Sequence, residues 1–284
     1  MGLDSRSIYS MVKPIQISEM MRYLLSYLRR NGKRSVRTMN WNEVLYIDNM
    51  DSKQGLPSLP DKSVELGYTD PVWNSDMKPN VRKYHNRELD NDTNKVFFND
   101  KIENFEEWTL NWFYQLERVC EKMVLVIPES SKYWWIRNTE PTADVPVLWK
   151  NGFSGSKIAN KSRKSSYLFY GKFKKGKKLK YDYIAKRYNS KENPIVEPFT
   201  LEWGFCSKEK HFIHPSPKGI TVALEVLKQL KPKTLIDPFA GSGSFLKAAD
   251  ILDIKWLGYE IKPVYKQDID LRLSQKTLKS FFEV

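Results

Sequence analysis

The chain has 284 residues, of which 40% are hydrophobic; it fits one large domain or one domain that carries a smaller insertion, and it is long enough to bury a full core. Its 47 basic and 34 acidic residues give a net charge of +13, which favours a polyanionic partner. The two cysteines, Cys120 and Cys206, match no metal-ligand or disulfide spacing, and no apolar run is long enough to span a membrane. We therefore expect a cytoplasmic protein with no metal site and no membrane partner.

Four segments precede the predicted helix at 105–120. Apolar residues at helical spacing predict a helix over residues 15–30, and VLYIDNMD at 44–51 predicts a short strand that runs into a loop. After a Pro-Asp turn, a predicted strand ends at Asp70. Residues 74–100 are polar and show no regular period, which indicates a mobile loop over the end of that strand, with His85 on the surface.

The middle of the chain alternates helix and strand. FEEWTLNWFYQLERVC at 105–120 has the periodicity of an amphipathic helix, and MVLVIP at 123–128 predicts a buried strand. VPVLW at 145–149 and SSYLFYG at 165–171 predict two further strands.

The last third of the chain repeats the alternation. A loop at 211–219 precedes a predicted helix at 220–230 and a strand at 234–237, which are followed by a helix at 243–252 and a strand at 255–261. Strands that alternate with helices indicate an α/β fold with a doubly wound, mostly parallel sheet.

Asp70 and Pro71 stand where a predicted strand ends, with Trp73 just beyond them. Pro71 disfavours a helical conformation at Asp70, so the carboxylate is held at the tip of the strand, where open α/β sheets build active sites. The alternative is an ordinary strand-to-loop turn with a solvated Asp and a core Trp.

DPFAGSGSF at 237–245 lies between a predicted strand and a helix, where a Gly-rich turn can press backbone N–H groups against a ligand. No Gly-Lys-Ser/Thr follows, so it is not a nucleotide-phosphate loop, and Leu246 replaces the third glycine of the dinucleotide fingerprint. Glu260, nineteen residues after Gly241, ends the next strand, where a carboxylate can accept hydrogen bonds from ribose hydroxyls. A GxG turn alone is more often structural, but the turn and the acid together favour a nucleoside cofactor without a pyrophosphate.

Positive charge is concentrated between Lys157 and Arg187. This segment holds twelve Lys or Arg and one acid, Asp182, so it carries +11 of the net +13. Its interleaved aromatic residues suit phosphate neutralisation combined with stacking or sugar contacts; they are Tyr167, Phe169, Tyr170, Phe173, Tyr181 and Tyr183. A solvated lysine-rich loop is the alternative.

Three motifs, in this order, resemble those of the amino-group DNA methyltransferases that use S-adenosylmethionine. They are Asp70-Pro71-Val72-Trp73, His214-Pro215-Ser216-Pro217-Lys218 and Asp237-Pro238-Phe239-Ala240-Gly241-Ser242-Gly243. The catalytic motif precedes the cofactor motif, which is the order of the β group of that family. The resemblance spans about residues 44–272 and includes Trp149-Lys150, which is similar to the segment before the family's recognition region.

The resemblance implies a Rossmann-like sheet in a single methyltransferase domain over residues 1–284, with a small basic target-recognition insertion at 157–210. It also implies that residues 239–244 wrap S-adenosylmethionine, that Glu260 holds its ribose, and that the HPSPK segment contacts its methionine end. Asp51 resembles the acid that faces the adenine of the cofactor. The implied cofactor-binding residues are Asp51, Asp70, His214, Ser216, Lys218, Asp237, Phe239, Gly241, Ser242, Gly243 and Glu260.

A catalytic role for Asp70, Pro71 and Trp73 is also implied. The Asp70 carboxylate and the Pro71 carbonyl would each accept a hydrogen of an exocyclic amine, and Trp73 would stack on a base flipped out of the duplex. Val72 stands where the family usually has a second proline, which removes rigidity but keeps the Pro71 carbonyl. Weaker activity or an altered base preference is therefore compatible with the sequence. Gly219 similarly replaces a proline that is common after the lysine.

The partner that the resemblance implies is double-stranded DNA, contacted through the basic residues of the insertion. The implied DNA-binding residues are Lys157, Lys161, Arg163, Lys164, Lys172, Lys174, Lys175, Lys177 and Lys178. A cognate restriction endonuclease is a further partner that such an enzyme can have, in a prokaryotic or viral host cell. The oligomeric state, monomer or homodimer, stays open.

Asp at position 70 favours adenine N6 as the target, whereas Ser there would favour cytosine N4. A cytosine-N4 methyltransferase remains an alternative. A non-catalytic nucleic-acid-binding protein that has kept the fold is another, and Val72 is its best support. RNA or protein methylation fits the motif order and the basic insertion less well.

Overall fold

The computed structural model describes residues 38–74, 82–84, 87–89, 101–149, 162–172 and 212–275. The strands of the described part are β1 Glu43–Leu45, β2 Val64–Thr69, β3 Arg82–Tyr84, β4 Arg87–Leu89, β5 Cys120–Pro128, β6 Ala143–Trp149, β7 Ser162–Tyr170, β8 Thr234–Asp237 and β9 Lys255–Tyr259. Its α-helices are α1 Phe105–Val119, α2 Lys132–Thr139, α3 Ile220–Leu230, α4 Ser244–Ile251 and α5 Lys266–Ser274. Single 3₁₀ turns occur at Leu56–Ser58, Glu129–Ser131 and Pro263–Tyr265.

Seven of these strands form one sheet in the order β1-β9-β8-β2-β5-β7-β6. Strands β1, β9, β8, β2 and β5 are parallel to one another, and β7 is antiparallel to both of its neighbours, β5 and β6. The carboxyl ends of the parallel strands therefore lie at one edge of the sheet. The prediction of a doubly wound, mostly parallel sheet is confirmed.

Two apolar layers cover the two faces of this sheet. Successive side chains of a strand point to opposite faces, so Val124 and Val126 of β5 belong to one layer, and Met123, Leu125 and Ile127 belong to the other. The first layer includes buried residues of α3 and α4, and the second includes those of α1. Each large apolar side chain buried in this way stabilises the fold by roughly 1.5 to 3 kcal/mol before entropy is counted.

Arg118 joins α1 to the segment that leads into β2. Its guanidinium is fully buried and donates to the carbonyl oxygens of Leu56 and Leu59, at 2.8 Å each, and to the carboxylate of Asp61 at 2.6 Å. Its Nε donates to Gln115 at 2.9 Å. This one buried side chain therefore ties the segment before β2 to α1, in addition to the backbone hydrogen bonds within the segment.

The structure corrects one interpretation of the basic tract. Residues 162–170 form β7, a strand inside the central sheet, and Tyr167, Phe169 and Tyr170 are core residues with at most 4% of their surface exposed. These three rings pack in the core, so they are not placed for stacking on nucleic acid. The predicted strand at 165–171 is confirmed, and it lies within the range assigned to the target-recognition insertion.

Other differences concern elements that sequence patterns did not predict. Within 74–100, for which no regular structure was predicted, β3 and β4 form a two-stranded antiparallel pair. Helices α2 and α5 were not predicted either. The helix predicted at 15–30 and His85 lie outside the described residues. No helix in the described ranges combines the length and the apolar character needed to cross a membrane.

Candidate active site

A cavity of about 430 Å³ opens at the carboxyl edge of the parallel strands. Its walls come mainly from the loops that follow β1, β2, β8 and β9, joined by residues 214–218 and by Trp108 of α1. A volume in this range is typical of sites that bind a small molecule. The fold thus brings the three sequence motifs to one place.

Asp70 follows the last residue of β2, as the Asp-Pro sequence predicts. The preceding residue, Thr69, is fully buried and donates its hydroxyl to Asp237 at 2.6 Å, which joins the ends of β2 and β8. Pro71 is buried and lines the cavity together with Asp70, Val72 and Trp73. The strand therefore ends with its carboxylate turned to the cavity, not to bulk solvent.

Both oxygens of the Asp70 carboxylate accept a hydrogen bond within the protein. Oδ2 lies 2.7 Å from Nζ of Lys218, and Oδ1 accepts from the indole N–H of Trp73 at 2.9 Å. The Lys218 ammonium also lies 4.8 Å from the centre of the Trp73 ring. The side chains of Lys218 and Asp70 are only 9% and 16% exposed, so this ion pair is largely shielded from water.

The HPSPK segment is held against the cavity by α5. The buried carboxylate of Asp268 accepts the backbone N–H groups of Ile213 and His214, at 3.0 and 2.7 Å. The carbonyl oxygen of Lys218 accepts from Oγ of Ser244 at 2.6 Å and from Nη1 of Arg272 at 3.2 Å. These bonds fix the backbone of Lys218 independently of its side chain.

The glycine turn after β8 requires left-handed backbone at two positions. Gly241 has φ +54° and Gly243 has φ +77°, conformations that glycine adopts without strain. A Cβ on Gly241 would also lie 3.1 Å from Nε2 of His214. The backbone can therefore approach a ligand closely here, directly before the first turn of α4.

Glu260 closes the turn from the neighbouring strand. Its Oε2 accepts the N–H of Gly241 at 2.8 Å, and its Oε1 accepts the N–H of Lys262 at 2.8 Å. Burial raises the pKa of Glu260 to about 7, although the bonds from Lys262 and Gly241 act in the opposite direction. The carboxyl group therefore titrates close to neutral pH while it faces the cavity.

Asp237 is the second buried acid of the cavity. Its Oδ1 accepts from Thr69 and from the N–H of Phe239, whereas its Oδ2 is buried with no hydrogen-bond partner. Burial raises the pKa of Asp237 to about 7, and the hydrogen bonds from Thr69 and Phe239 lower it. An orphaned carboxylate oxygen at a cavity wall fits a site that a polar ligand completes.

Most of the predicted cofactor and catalytic residues line this one cavity. They are Asp70, Pro71, Trp73, His214, Ser216, Lys218, Asp237, Phe239, Gly241, Ser242 and Glu260. Gly243 shapes the turn without lining the cavity. Asp51 also lies outside the lining, and its Oδ1 accepts the N–H groups of Lys53 and Gln54 at 2.9 and 2.8 Å.

The residues of the loop after β1 that line the cavity do not include the predicted Asp51. Asp48 and Asn49 line it, and buried Asn49 donates its amide to the carbonyl oxygen of Pro238 at 2.9 Å. Trp108 lines it as well, with its ring centre 5.9 Å from that of Phe239. Acidic residues after a strand are a usable signal for Asp48, but nothing in the local pattern distinguishes it from Asp51.

The predicted DNA-binding residues fall mostly outside the described part of the chain. Arg163 and Lys164 belong to β7, and Lys172 is exposed just after it. Since Tyr170 pairs with Met123, near the start of β5, Lys172 leaves the sheet at the edge opposite the cavity. Lys157, Lys161, Lys174, Lys175, Lys177 and Lys178 lie outside the described residues.

Residues 64–270 match the family model of the N6/N4 type that is described as DNA methylase. This match takes in most of the chain and all three motifs. The chain belongs to this DNA methylase family. The resemblance found in the motifs is thereby confirmed, and the cavity is the candidate active site of an amino-group DNA methyltransferase.

Two crystal structures of DNA methyltransferases share the fold of this family member. The complex of M1.HpyAVI with SAM superposes with a TM-score of 0.50 at 16% identity, over 82% of this chain and 99% of that one. The PvuII DNA methyltransferase, which is cytosine-N4-specific, gives 0.50 at 18% identity, over 87% and 91%. At such identities the likeness concerns the fold, which confirms the expected Rossmann-like architecture.

Proposed function

We propose that this DNA methylase transfers a methyl group from S-adenosylmethionine to the exocyclic amine of a base flipped out of double-stranded DNA, with adenine N6 as the favoured target. One observation carries the proposal. A single cavity is lined by Asp70, Pro71 and Trp73 on one side and by the glycine turn and Glu260 on the other. This arrangement supports a base-binding half and a cofactor-binding half in one cavity.

The residues of the cofactor half have groups that can bind the nucleoside part of S-adenosylmethionine. The Glu260 carboxylate, held by two backbone N–H groups, is placed to accept hydrogen bonds from ribose hydroxyls. Asp48 and Asn49 line the cavity from the loop after β1, whereas Asp51 does not, which supports them over Asp51 as the residues beside the adenine. We accordingly propose Asp48 and Asn49 for that role.

Asp70 and Pro71 are proposed to make the exocyclic amine a better nucleophile by accepting its two hydrogens. The lone pair of such an amine is delocalised into the ring of the base. If the Asp70 carboxylate and the Pro71 carbonyl each accept one amine hydrogen, the nitrogen becomes more tetrahedral and its lone pair becomes available. Catalysis then depends mainly on positioning and electrostatics.

Methyl transfer would need only the cofactor, the amine of the base and the Asp70 carboxylate. When bound, S-adenosylmethionine would supply an electrophilic methyl group: the amine lone pair would form the new nitrogen–carbon bond, and the electron pair of the broken carbon–sulfur bond would stay on sulfur. The methylated nitrogen then loses one proton, which Asp70, hydrogen-bonded to it, accepts and passes to solvent.

Trp73 is proposed to hold the flipped base. Extruding a base costs about a few kcal/mol in broken stacking and pairing. Stacking on an aromatic side chain offsets roughly 1 to 3 kcal/mol of this cost. Trp73 is half-buried at the mouth of the cavity, beside Asp70, where a captured base would present its amine to the carboxylate.

Two alternatives have specific support. Cytosine N4 is an equally accessible amine, and Val72, which lines the cavity in place of the usual proline, is a difference that can alter base preference. A non-catalytic DNA-binding protein is the other alternative, supported by the same substitution.

The product identifies the reaction. Purified protein is incubated with methyl-labelled S-adenosylmethionine and DNA of mixed sequence, and the DNA is digested to nucleosides and analysed by mass. Labelled N6-methyldeoxyadenosine is the expected product. Labelled N4-methyldeoxycytidine would establish the cytosine alternative, and no label, under conditions where the protein binds both substrates, would establish the non-catalytic one.

A further inference from the structure

The catalytic carboxylate is tied to a lysine from a distant part of the chain. Asp70 follows β2, and Lys218 precedes α3, yet Nζ of Lys218 lies 2.7 Å from Oδ2 of Asp70. Oγ of Ser216 lies a further 3.4 Å from the same ammonium. An ion pair this shielded from water requires both partners, because either charge left alone in the cavity would be poorly solvated.

The backbone of Lys218 is fixed from the cofactor side of the cavity. Ser244, the first residue of α4, and Arg272 of α5 both donate to its carbonyl oxygen. The side chain then reaches from this anchor across to Asp70. Lys218 is thus a physical link between the turn that holds the cofactor and the carboxylate that holds the base.

The other oxygen of Asp70 is occupied by a neighbour in the motif. The indole N–H of Trp73 donates to Oδ1 at 2.9 Å, while the Lys218 ammonium lies over the indole ring. This N–H has the same chemistry as the amine hydrogen of a target base, and it acts on the same acceptor. Phe at this position would have no hydrogen-bond donor, and Tyr would have a hydroxyl at the far end of its ring instead of a ring N–H.

We propose that Lys218 is a positioning residue that fixes the Asp70 carboxylate through Oδ2, and that the indole N–H of Trp73 occupies Oδ1 until the amine of the flipped base replaces it. This inference rests on the proposed function and deepens it. It gives Lys218 a role toward Asp70 in place of the role toward the methionine end of the cofactor that the family resemblance implies.

Lys218→Met tests the first half of the proposal. Methionine keeps much of the buried stem and removes the charge, and the backbone anchor of residue 218 does not depend on the side chain. We expect kcat to fall by about 100-fold or more, as for the loss of a fixed electrostatic group, while the Kd values for S-adenosylmethionine and DNA change by less than about threefold. Lys218→Arg, which restores the charge, should recover at least about a tenth of the wild-type kcat.

A cofactor fragment separates the two roles of Lys218. 5′-Methylthioadenosine has the nucleoside and the thioether but no carboxylate. If Lys218 instead bound the methionine carboxylate, Lys218→Met would weaken S-adenosylmethionine and leave 5′-methylthioadenosine unchanged, which would overturn the proposal. Unchanged affinity for both, with a large loss of kcat, supports it.

Trp73→Phe tests the second half. Phenylalanine keeps an aromatic face for the base and removes the competing N–H. We expect kcat/KM for DNA to be higher than that of the wild type, because the amine no longer competes with the indole N–H for Oδ1, whereas Trp73→Leu, which has no ring, should lower it. A value for Trp73→Phe that is not above that of the wild type would contradict the proposed competition.

A spectroscopic readout decides the arrangement without reference to activity. In protein labelled with 5-fluorotryptophan, the ¹⁹F resonance of Trp73 is assigned by its disappearance in Trp73→Phe. Lys218→Met should shift that resonance in the free protein, whereas the exposed control Lys228→Met should not. An unchanged Trp73 resonance in Lys218→Met would overturn the proposal. Absence of methyl transfer by wild-type protein would instead count against the proposed function.

Discussion

The carboxyl group of Glu260 is buried, and both of its oxygens accept backbone N–H bonds. Desolvation outweighs these bonds, so the pKa of Glu260 rises to about 7 in the free protein. A ribose hydroxyl donates more strongly to the ionised form than to the protonated form. Cofactor binding therefore favours loss of the proton from Glu260, and it should be coupled to pH near neutrality.

This coupling has a defined sign. Below the folded pKa of Glu260, binding must first remove a proton, so the affinity for S-adenosylmethionine should fall as the pH drops below about 7, by at most about tenfold per pH unit for one proton. Above that pKa the affinity should level off. Calorimetry from about pH 6 to about pH 8 measures this, and buffers of different ionisation enthalpy report the proton released.

Substitution isolates the contribution of Glu260. Glu260→Gln should weaken S-adenosylmethionine by about 1.5 to 3 kcal/mol, as expected for hydrogen bonds to a charged group, and should flatten the pH dependence. Asp237→Asn identifies any part of the pH dependence that comes from the second buried acid, and the partly exposed Glu225→Gln controls for a change of net charge. Equal affinity in Glu260→Gln and in the wild type would refute the ribose contact.

At the scale of elements, the contacts of Arg118 lead to a prediction about the stability of the fold. Arg118→Met would remove one donor from each of the carbonyl oxygens of Leu56 and Leu59 and would break the ion pair with Asp61. We expect the free energy of unfolding to fall by about 3 kcal/mol, as is typical when a buried polar network is broken. Urea denaturation measures it, with Lys228→Met on the exposed face of α3 as a control that should change little. A decrease no larger than that of the control would contradict the assigned role.

Elements with a strong local pattern could be predicted from the sequence, and those held by distant contacts could not. Residues 105–120 and 220–230 have helical periodicity, and the structure has α1 and α3 there. By contrast, α2 is short and weakly patterned, and its Trp135 is buried against Trp112 of α1, 6.0 Å between ring centres. That contact joins residues 23 positions apart, so no local window contains it.

The same distinction applies to the site. Asp70, Gly241 and Glu260 could be predicted because strand ends and a glycine turn are visible in the sequence. Asp48 and Asp51 both accept backbone N–H groups through Oδ1, so the sequence does not show that Asp48 is the one of the two that lines the wall. Asp268 could not be predicted, because its partners lie 54 and 55 residues away.

At the scale of the whole molecule, the next prediction concerns the distribution of positive charge along the chain. The segment from Lys157 to Arg187 carries most of the net positive charge, and we propose that it binds DNA phosphates. Four of its lysines, at Lys174, Lys175, Lys177 and Lys178, are changed to Gln. The slope of log affinity against log salt should then decrease by about 0.9 for each phosphate that the variant no longer neutralises. Affinity for S-adenosylmethionine should not change.

A matched variant makes this test specific. The same number of exposed lysines can be changed at Lys228, Lys231, Lys233 and Lys255, which lie on α3 or near the starts of β8 and β9, away from the cavity. The net charge then falls equally in both proteins. If DNA affinity and salt slope decrease alike in both variants, the segment contributes only overall charge, and the proposed role in DNA binding is wrong.

The central claim is that Asp70 activates the amine of a flipped base through its negative charge. The most direct measurement is the single-turnover rate of methyl transfer to DNA by wild-type protein and by Asp70→Asn, with S-adenosylmethionine and DNA both saturating. Asp70→Asn keeps the shape and one acceptor oxygen, so we predict near-normal affinity for both ligands and a rate lowered by about 100-fold or more. An Asp70→Asn rate within about threefold of the wild type would contradict the account.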